Sequence, residues 1–221
     1  MTLREWCEEN NRLDILAEWH PTKNGDLTVD NVTSSSGQNI WWYLPYDDPV
    51  TGKHFDFEWR NIISNRTKRG DGCPYLCGKA VFHGYNDLAT LMPDLAKEWH
   101  PTKNGRLTPK DITTHYGKKV WWYLPYDDPE TGKHFNFEWQ TTVDSRVGNN
   151  LGCPYISNKS VWVGYNDLET THPDIAQKFH PTKNGTLTPK DFTYGSGKIV
   201  WWLYRHYDMK TDKWIDLEWK A

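Results

Sequence analysis

The sequence is poor in sulfur and modest in apolar residues. It has four cysteines, at 7, 73, 77 and 153, and three methionines in 221 residues. That is too few cysteines for a disulfide scaffold of this length, and they do not recur evenly along the chain, so a reducing, cytoplasmic setting is expected. Cys73 and Cys77 are near enough in sequence to pair in principle. No apolar run approaches the roughly 18 residues that a membrane helix needs. The opening MTLREWCEENNR is acidic and polar, unlike a signal peptide. A net charge of −3 with 25% charged residues predicts solubility and excludes a general attraction to phosphate. Any nucleic-acid binding has to use a local basic face. There is no glycine loop to cradle phosphate, no HExxH, and no serine–histidine arrangement in a recognisable context. No enzyme activity and no cofactor are expected.

The apolar content, 37% in all, is heavily aromatic: 14 Trp, 12 Tyr and 7 Phe. A few large rings can fill a small core that would otherwise need many aliphatic side chains.

Self-comparison gives the strongest signal. EWHPTKNG occurs at 18–25 and 98–105, and KFHPTKNG at 178–185, a spacing of 80 residues. WWYLPYDDP at 41–49 returns at 121–129, with WWLYRHYD at 201–208 as a divergent third copy. HFDFEW at 54–59, HFNFEW at 134–139 and WIDLEW at 214–219 keep the same register, as does GYNDL at 84–88 and 164–168. Three tandem units follow: 1–80 with an N-terminal extension over 1–12, 81–160, and a truncated 161–221 that lacks a Gly-Cys-Pro segment.

Each unit reads as α+β. Pro at the first helical position with Asp beside it predicts short helices over Pro93–Trp99 and Pro173–Phe179. HPTKNG breaks the helix, Asn-Gly supplying left-handed geometry. LTPKD at 107–111 and 187–191 predicts one capped turn, with Thr108 or Thr188 as N-cap and Asp111 or Asp191 as a partial capping-box partner. A β-hairpin follows, in which Trp122 alternates with Trp121 and Tyr123, and Phe135, Phe137 and Trp139 share a face. The Asp-, Pro- and Gly-rich connection is a solvated loop. A turn is expected at Asn149–Asn150 before GCPY.

The run GYNDL, EWHPTKNG, LTPKD, WW and GCPY resembles the probable zinc-ribbon, treble-clef-like domain found in tandem in bacterial and phage proteins. The resemblance implies that fold, a zinc site and a loose association with DNA-related proteins. Family members carry WWKCPKCGHEW in the hairpin and close with GCPYC. Here the hairpin ligands fall on Leu44 and Asp47, Leu124 and Asp127, and Tyr204 and Tyr207. The closing pair falls on Cys73 and Leu76, with Cys77 one place late, and on Cys153 and Ile156. No unit keeps four soft ligands. Cys73 and Cys77, with Asp47 or His54, are the only weak metal candidates. Structural zinc supplies roughly 10–16 kcal/mol. A buried Trp is worth about 4–6 kcal/mol, so two or three rings could offset it. Carbon at Leu44, Leu124, Leu76 and Ile156 points the same way, and largely metal-free ribbons are expected.

His20, His100 and His180 recur after a helix end, where capping of a last carbonyl is the plain reading and metal ligation the sharper one. Lys23, Lys103 and Lys183 form a periodic row suited to phosphate or to ordinary surface. The pairs Asp47/Asp48 and Asp127/Asp128 read as turn formers, since no third acid or nucleophile completes a catalytic or cation-binding constellation. In Trp41/Trp42, Trp121/Trp122 and Trp201/Trp202 one ring of each pair belongs to the core. The other packs on a neighbouring unit or is left to bind. Arg60, Arg66, Lys68 and Arg69 make the clear basic cluster, of which the second unit keeps only Arg146.

Two functions follow. A non-catalytic nucleic-acid-binding protein, with DNA the first target, would use the basic cluster and the lysine row. A protein-interaction scaffold or inhibitor, of phage derivation, would use the aromatic and acidic surface. Carbohydrate binding ranks below both.

Overall fold

The computed structural model describes residues 1–221 and divides into two compact units. One comprises Met1–Lys118 and Thr142–Asp144, the other Lys119–Thr141 and Ser145–Ala221. Along the chain run α1 (Leu3–Glu9), α2 (Leu13–Ala17), β1 (Asn39–Asp47), β2 (His54–Ile62), α3 (Ile63–Lys68), α4 (Leu88–Leu91) and α5 (Pro93–Ala96). There follow β3 (Lys119–Asp127), β4 (His134–Thr142), α6 (Val143–Gly148), α7 (Leu168–Thr171) and α8 (Pro173–Ala176). A 3-10 turn over Pro189–Asp191 precedes β5 (Trp201–Asp208) and β6 (Lys213–Lys220). The strands form three separate two-stranded sheets, so the fold is three tandem helix-plus-hairpin repeats.

Side-chain caps start the helices. Asp87 and Asp167 accept the backbone N–H of Thr90 and Thr170, and Thr2 with Glu5 forms a full capping box. Thr188 and Asp191 make the expected box around the 3-10 turn. The helices end earlier than predicted, at Ala96 and Ala176 rather than Trp99 and Phe179. In the third repeat the cause is visible. Lys178 accepts a bond from the Leu203 N–H, and Phe179 bridges Trp202, so the chain is drawn out along β5 instead of coiling on. Glu18 and Trp19 do the same beside β1.

The β1–β2 register places Trp42 opposite Trp59, Leu44 opposite Phe57 and Tyr46 opposite Phe55, all on one face. Trp42, Phe57 and Trp59 are buried there with Ile15, Ile40 and Ile63. Gly70 (φ +71°) and Asn150 (φ +48°) turn the chain after α3 and α6 in left-handed geometry. The segment that follows returns over the hairpin. Around Phe57 lie Phe82 at 4.9 Å, Tyr85 at 5.0 Å, Tyr75 at 5.4 Å and Tyr46 at 5.6 Å between ring centroids. Phe137 is surrounded alike by Tyr165 at 5.0 Å, Trp162 at 5.2 Å and Tyr155 at 5.4 Å. Phe82 and Tyr85 thus complete the first core although they lie beyond residue 80. The third hairpin has no such cover, and β6 is exposed along its whole length.

Candidate functional site

The HPTKNG knuckle holds the solvent face of the first and third hairpins in place. Asn24 acts as a short strand: its amide donates to the Trp41 carbonyl (3.0 Å) and its carbonyl oxygen accepts the Trp41 N–H (2.8 Å). Asn184 repeats both bonds with Trp201. His20 is buried. Its Nδ1 accepts the backbone N–H groups of Thr22 (3.2 Å) and Lys23 (3.1 Å), leaving Nε2 to donate to Glu58 (3.0 Å). His180 does the same with Thr182, Lys183 and Glu218, and His100 accepts from Thr102 and Lys103. The expected capping of a helix carbonyl is therefore corrected. The imidazole receives the turn's amides because helix α2 has already ended.

Lys23 completes the arrangement by pairing with Glu58, as Lys183 does with Glu218. The lysine bond, then the histidine bond, holds each glutamate below the usual carboxylate range. Trp41 is half-buried with the Lys23 ammonium 4.9 Å and the Arg60 guanidinium 5.8 Å from its ring centroid. Trp201 has Lys183 at 4.8 Å and Lys220 at 5.0 Å. Cations of the same repeat, then, accompany these outer rings. Glu58, Glu218 and Lys220 escaped the sequence reading, though the recurrent Glu-Trp of HFDFEW and WIDLEW carried the signal.

The basic cluster does not survive intact. Arg60, Lys68 and Arg69 are exposed, but Arg66 is only 1% exposed and belongs to the core. Its guanidinium lies 4.6 Å from Trp42 and 5.5 Å from Trp59, and it pairs with Glu18. Arg146 is likewise buried, 4.5 Å from Trp122 and 5.2 Å from Trp139. Neither is available to phosphate. Trp42 and Trp122 are fully buried, as one ring of each pair was expected to be, whereas in the third pair Trp201 and Trp202 are both only half-buried.

Leu44 packs on the core, Asp47 is bonded to His54 (2.6 Å), and Cys73 is buried with its thiol raised by burial. Cys77 is exposed, and all four cysteines are free. The model described as a probable treble clef zinc finger domain matches residues 15–80, 95–159 and 175–210. The chain belongs to that family. No curated protein matches it.

A structural zinc finger is built around an ion with four close N, S or carboxylate ligands. The residues here do not fit that ion. Leucine and aspartate stand at the hairpin positions of the first two repeats and two tyrosines at those of the third, and no group of three or more His, Cys, Asp or Glu side chains is placed to hold a metal. One expectation about the replacement is corrected: Leu76 is 43% exposed and Ile156 is also exposed, so they do not fill the vacated space. The rings gathered around Phe57 and Phe137 form the packed centres of the first two repeats. The acid pairs make the hairpin loop. Asp48 accepts from the backbone of Val50 and Thr51 and from the Thr51 hydroxyl, while Asp47 and Asp127 hold His54 and His134. The bond to Asp47 raises the His54 pKa.

Proposed function

We propose that the protein is a non-catalytic nucleic-acid-binding repeat protein, with DNA as its target, acting through the solvent faces of its hairpins. One observation carries this reading: a half-buried tryptophan flanked by two cations, built twice from the same knuckle, at Trp41 with Lys23 and Arg60 and at Trp201 with Lys183 and Lys220. The cations supply phosphate contacts, Lys23 and Lys183 while paired with Glu58 and Glu218, and the exposed part of the indole ring is a surface on which a base can stack. Lys103 and Trp121 occupy the equivalent sequence positions of the middle repeat. Lys68 and Arg69 add exposed basic charge to the same repeat. Because the chain carries net −3, binding depends on these local clusters and is steeply salt-sensitive. The three modules, 1–80, 81–160 and 161–221, act as spaced copies of one binding unit. Four free thiols support a reducing, cytoplasmic setting, and no helix is long and apolar enough to cross a membrane.

Fluorescence anisotropy with labelled single-stranded and duplex DNA tests the proposal. Binding at low salt should weaken linearly in log–log form as salt rises, and should drop when Arg60, Lys68 and Arg69 are changed to Gln. No binding at low salt would remove this reading. A protein-interaction scaffold is the second reading, favoured by the uncovered apolar face of β5–β6.

A further inference from the structure

A cleft of about 360 Å³ lies in the second repeat, between residues 139–141 at the end of β4 and residues 150–160, which return over the hairpin. Tyr155 forms part of its wall and is held there by a hydroxyl bond to the Glu138 carbonyl (2.9 Å). Trp139 lines it too. That side chain is buried, and its indole N–H has no hydrogen-bond partner. A buried donor without a partner is costly, so an acceptor brought to it is stabilised. Lys159 brings a positive charge to the cleft and Ser160 a hydroxyl, and no carboxylate lines it.

The first repeat carries its own anion at the equivalent place. Asp71 pairs there with Lys79 (3.4 Å). Eighty residues on, the lysine is kept as Lys159, but Leu151 stands in place of the aspartate. Ser157 and Ser160 stand in place of Cys77 and Ala80. Ser157 donates to the Cys153 carbonyl (3.1 Å), so Ser160 is the hydroxyl added to the site. The second repeat has thus lost an internal negative charge and gained a donor, and both changes favour an anion from outside. The unpartnered indole N–H is common to Trp59 and Trp139, whereas the missing acid belongs to the second repeat alone.

We propose that this cleft binds the phosphate group of a small phosphorylated molecule. Lys159 balances the charge, and the Ser160 hydroxyl and the Trp139 N–H supply donors from two other directions. A phosphate monoester presents three strong acceptor oxygens and so can serve all of them, which suits it better than a carboxylate. The cleft has the size of a small-molecule site, more than a bare phosphate needs. Leu151, Pro154 and Tyr155 give the remaining space an apolar wall for the group that carries the phosphate. None of these residues belongs to the face on which the DNA reading rests, so the two stand or fall separately.

Calorimetric titration of the full chain with inorganic phosphate and with a nucleoside monophosphate, at an ionic strength held constant with chloride, tests this. Saturable one-to-one binding is expected, tighter for the nucleoside monophosphate. Lys159→Gln should weaken it about tenfold or more. Leu151→Asp, which restores the internal acid, should do the same, while Lys79→Gln in the first repeat should change nothing. Circular dichroism checks that the variants remain folded. In nitrogen–proton NMR spectra the indole N–H of Trp139 should shift on saturation and that of Trp59 should not. No saturation by either small ligand, binding unchanged in the folded Lys159→Gln and Leu151→Asp variants, or saturation that leaves Trp139 unmoved overturns the proposal. Each of these results is independent of what DNA does in the anisotropy experiment.

Discussion

Arg66 is sandwiched between two tryptophans, 4.6 Å from the ring centroid of Trp42 and 5.5 Å from that of Trp59, with Glu18 on its Nη2. Its Nε and Nη1 are buried without a hydrogen-bond partner, so the indole faces and one carboxylate are what stabilise the charge. Removing the cation leaves Glu18 partly buried and opens a gap between the rings. Arg66→Ala should therefore cost about 3–5 kcal/mol in urea unfolding. Lys68→Ala and Arg69→Ala, at exposed sites, should each stay within about 0.5 kcal/mol. Equal effects from all three would show that Arg66 is a surface residue.

Phe57 and Leu217 occupy equivalent positions in different surroundings. Phe57→Ala should destabilise the first repeat by about 3–5 kcal/mol, since it empties the centre of a ring cluster. Leu217→Ala should cost less than about 1 kcal/mol, because much of that side chain is already in water. Denaturant titrations of the two variants make the comparison. A Leu217→Ala cost matching that of Phe57→Ala would mean that the third hairpin is covered.

Thiol chemistry separates the cysteines. Burial pushes the Cys7 thiol up to about 11 and raises Cys73, and Cys153 is buried as well, whereas Cys77 is exposed. Under native conditions Cys77 should react with an alkylating reagent first, and the other three only on unfolding. Mass spectrometry of the digested protein reads this directly, and early labelling of Cys7 or Cys73 would contradict the packing.

The glutamate clamp predicts a pH window. Glu58 and Glu218 are held below their ordinary value of 4.5 by lysine and histidine bonds. A carboxyl with a lowered folded pKa contributes stability that is complete above its unfolded value and is lost as pH falls through the folded one. The gap in melting temperature between the native chain and a Glu58→Gln, Glu218→Gln variant should be steady from neutral pH to about pH 5 and close below the glutamate range. A gap unchanged at about pH 3 would show that the clamp does not titrate.

Much of the fold was legible because the chain repeats itself. Alternation around Trp41–Trp42 and Phe55–Phe57 gave the hairpin faces, and Thr188-Pro-Lys-Asp gave its capped turn. What could not be read depends on contacts distant in sequence. Arg66 looks like its exposed neighbours Lys68 and Arg69 until Trp42 and Trp59 close on it. His20 reads as a helix cap until Glu58, 38 residues later, is placed on its Nε2. Leu76, at the position where the family resemblance places a closing ligand, is exposed, and Phe82 and Tyr85, numbered into the next repeat, return to fill the previous core.

Elemental analysis of the purified chain, followed by unfolding with and without a strong chelator, bears most directly on the claim that ring clusters hold these modules without an ion. The account predicts no stoichiometric zinc and two superimposable unfolding curves. Zinc bound at one ion per repeat, with collapse on chelation, would contradict it.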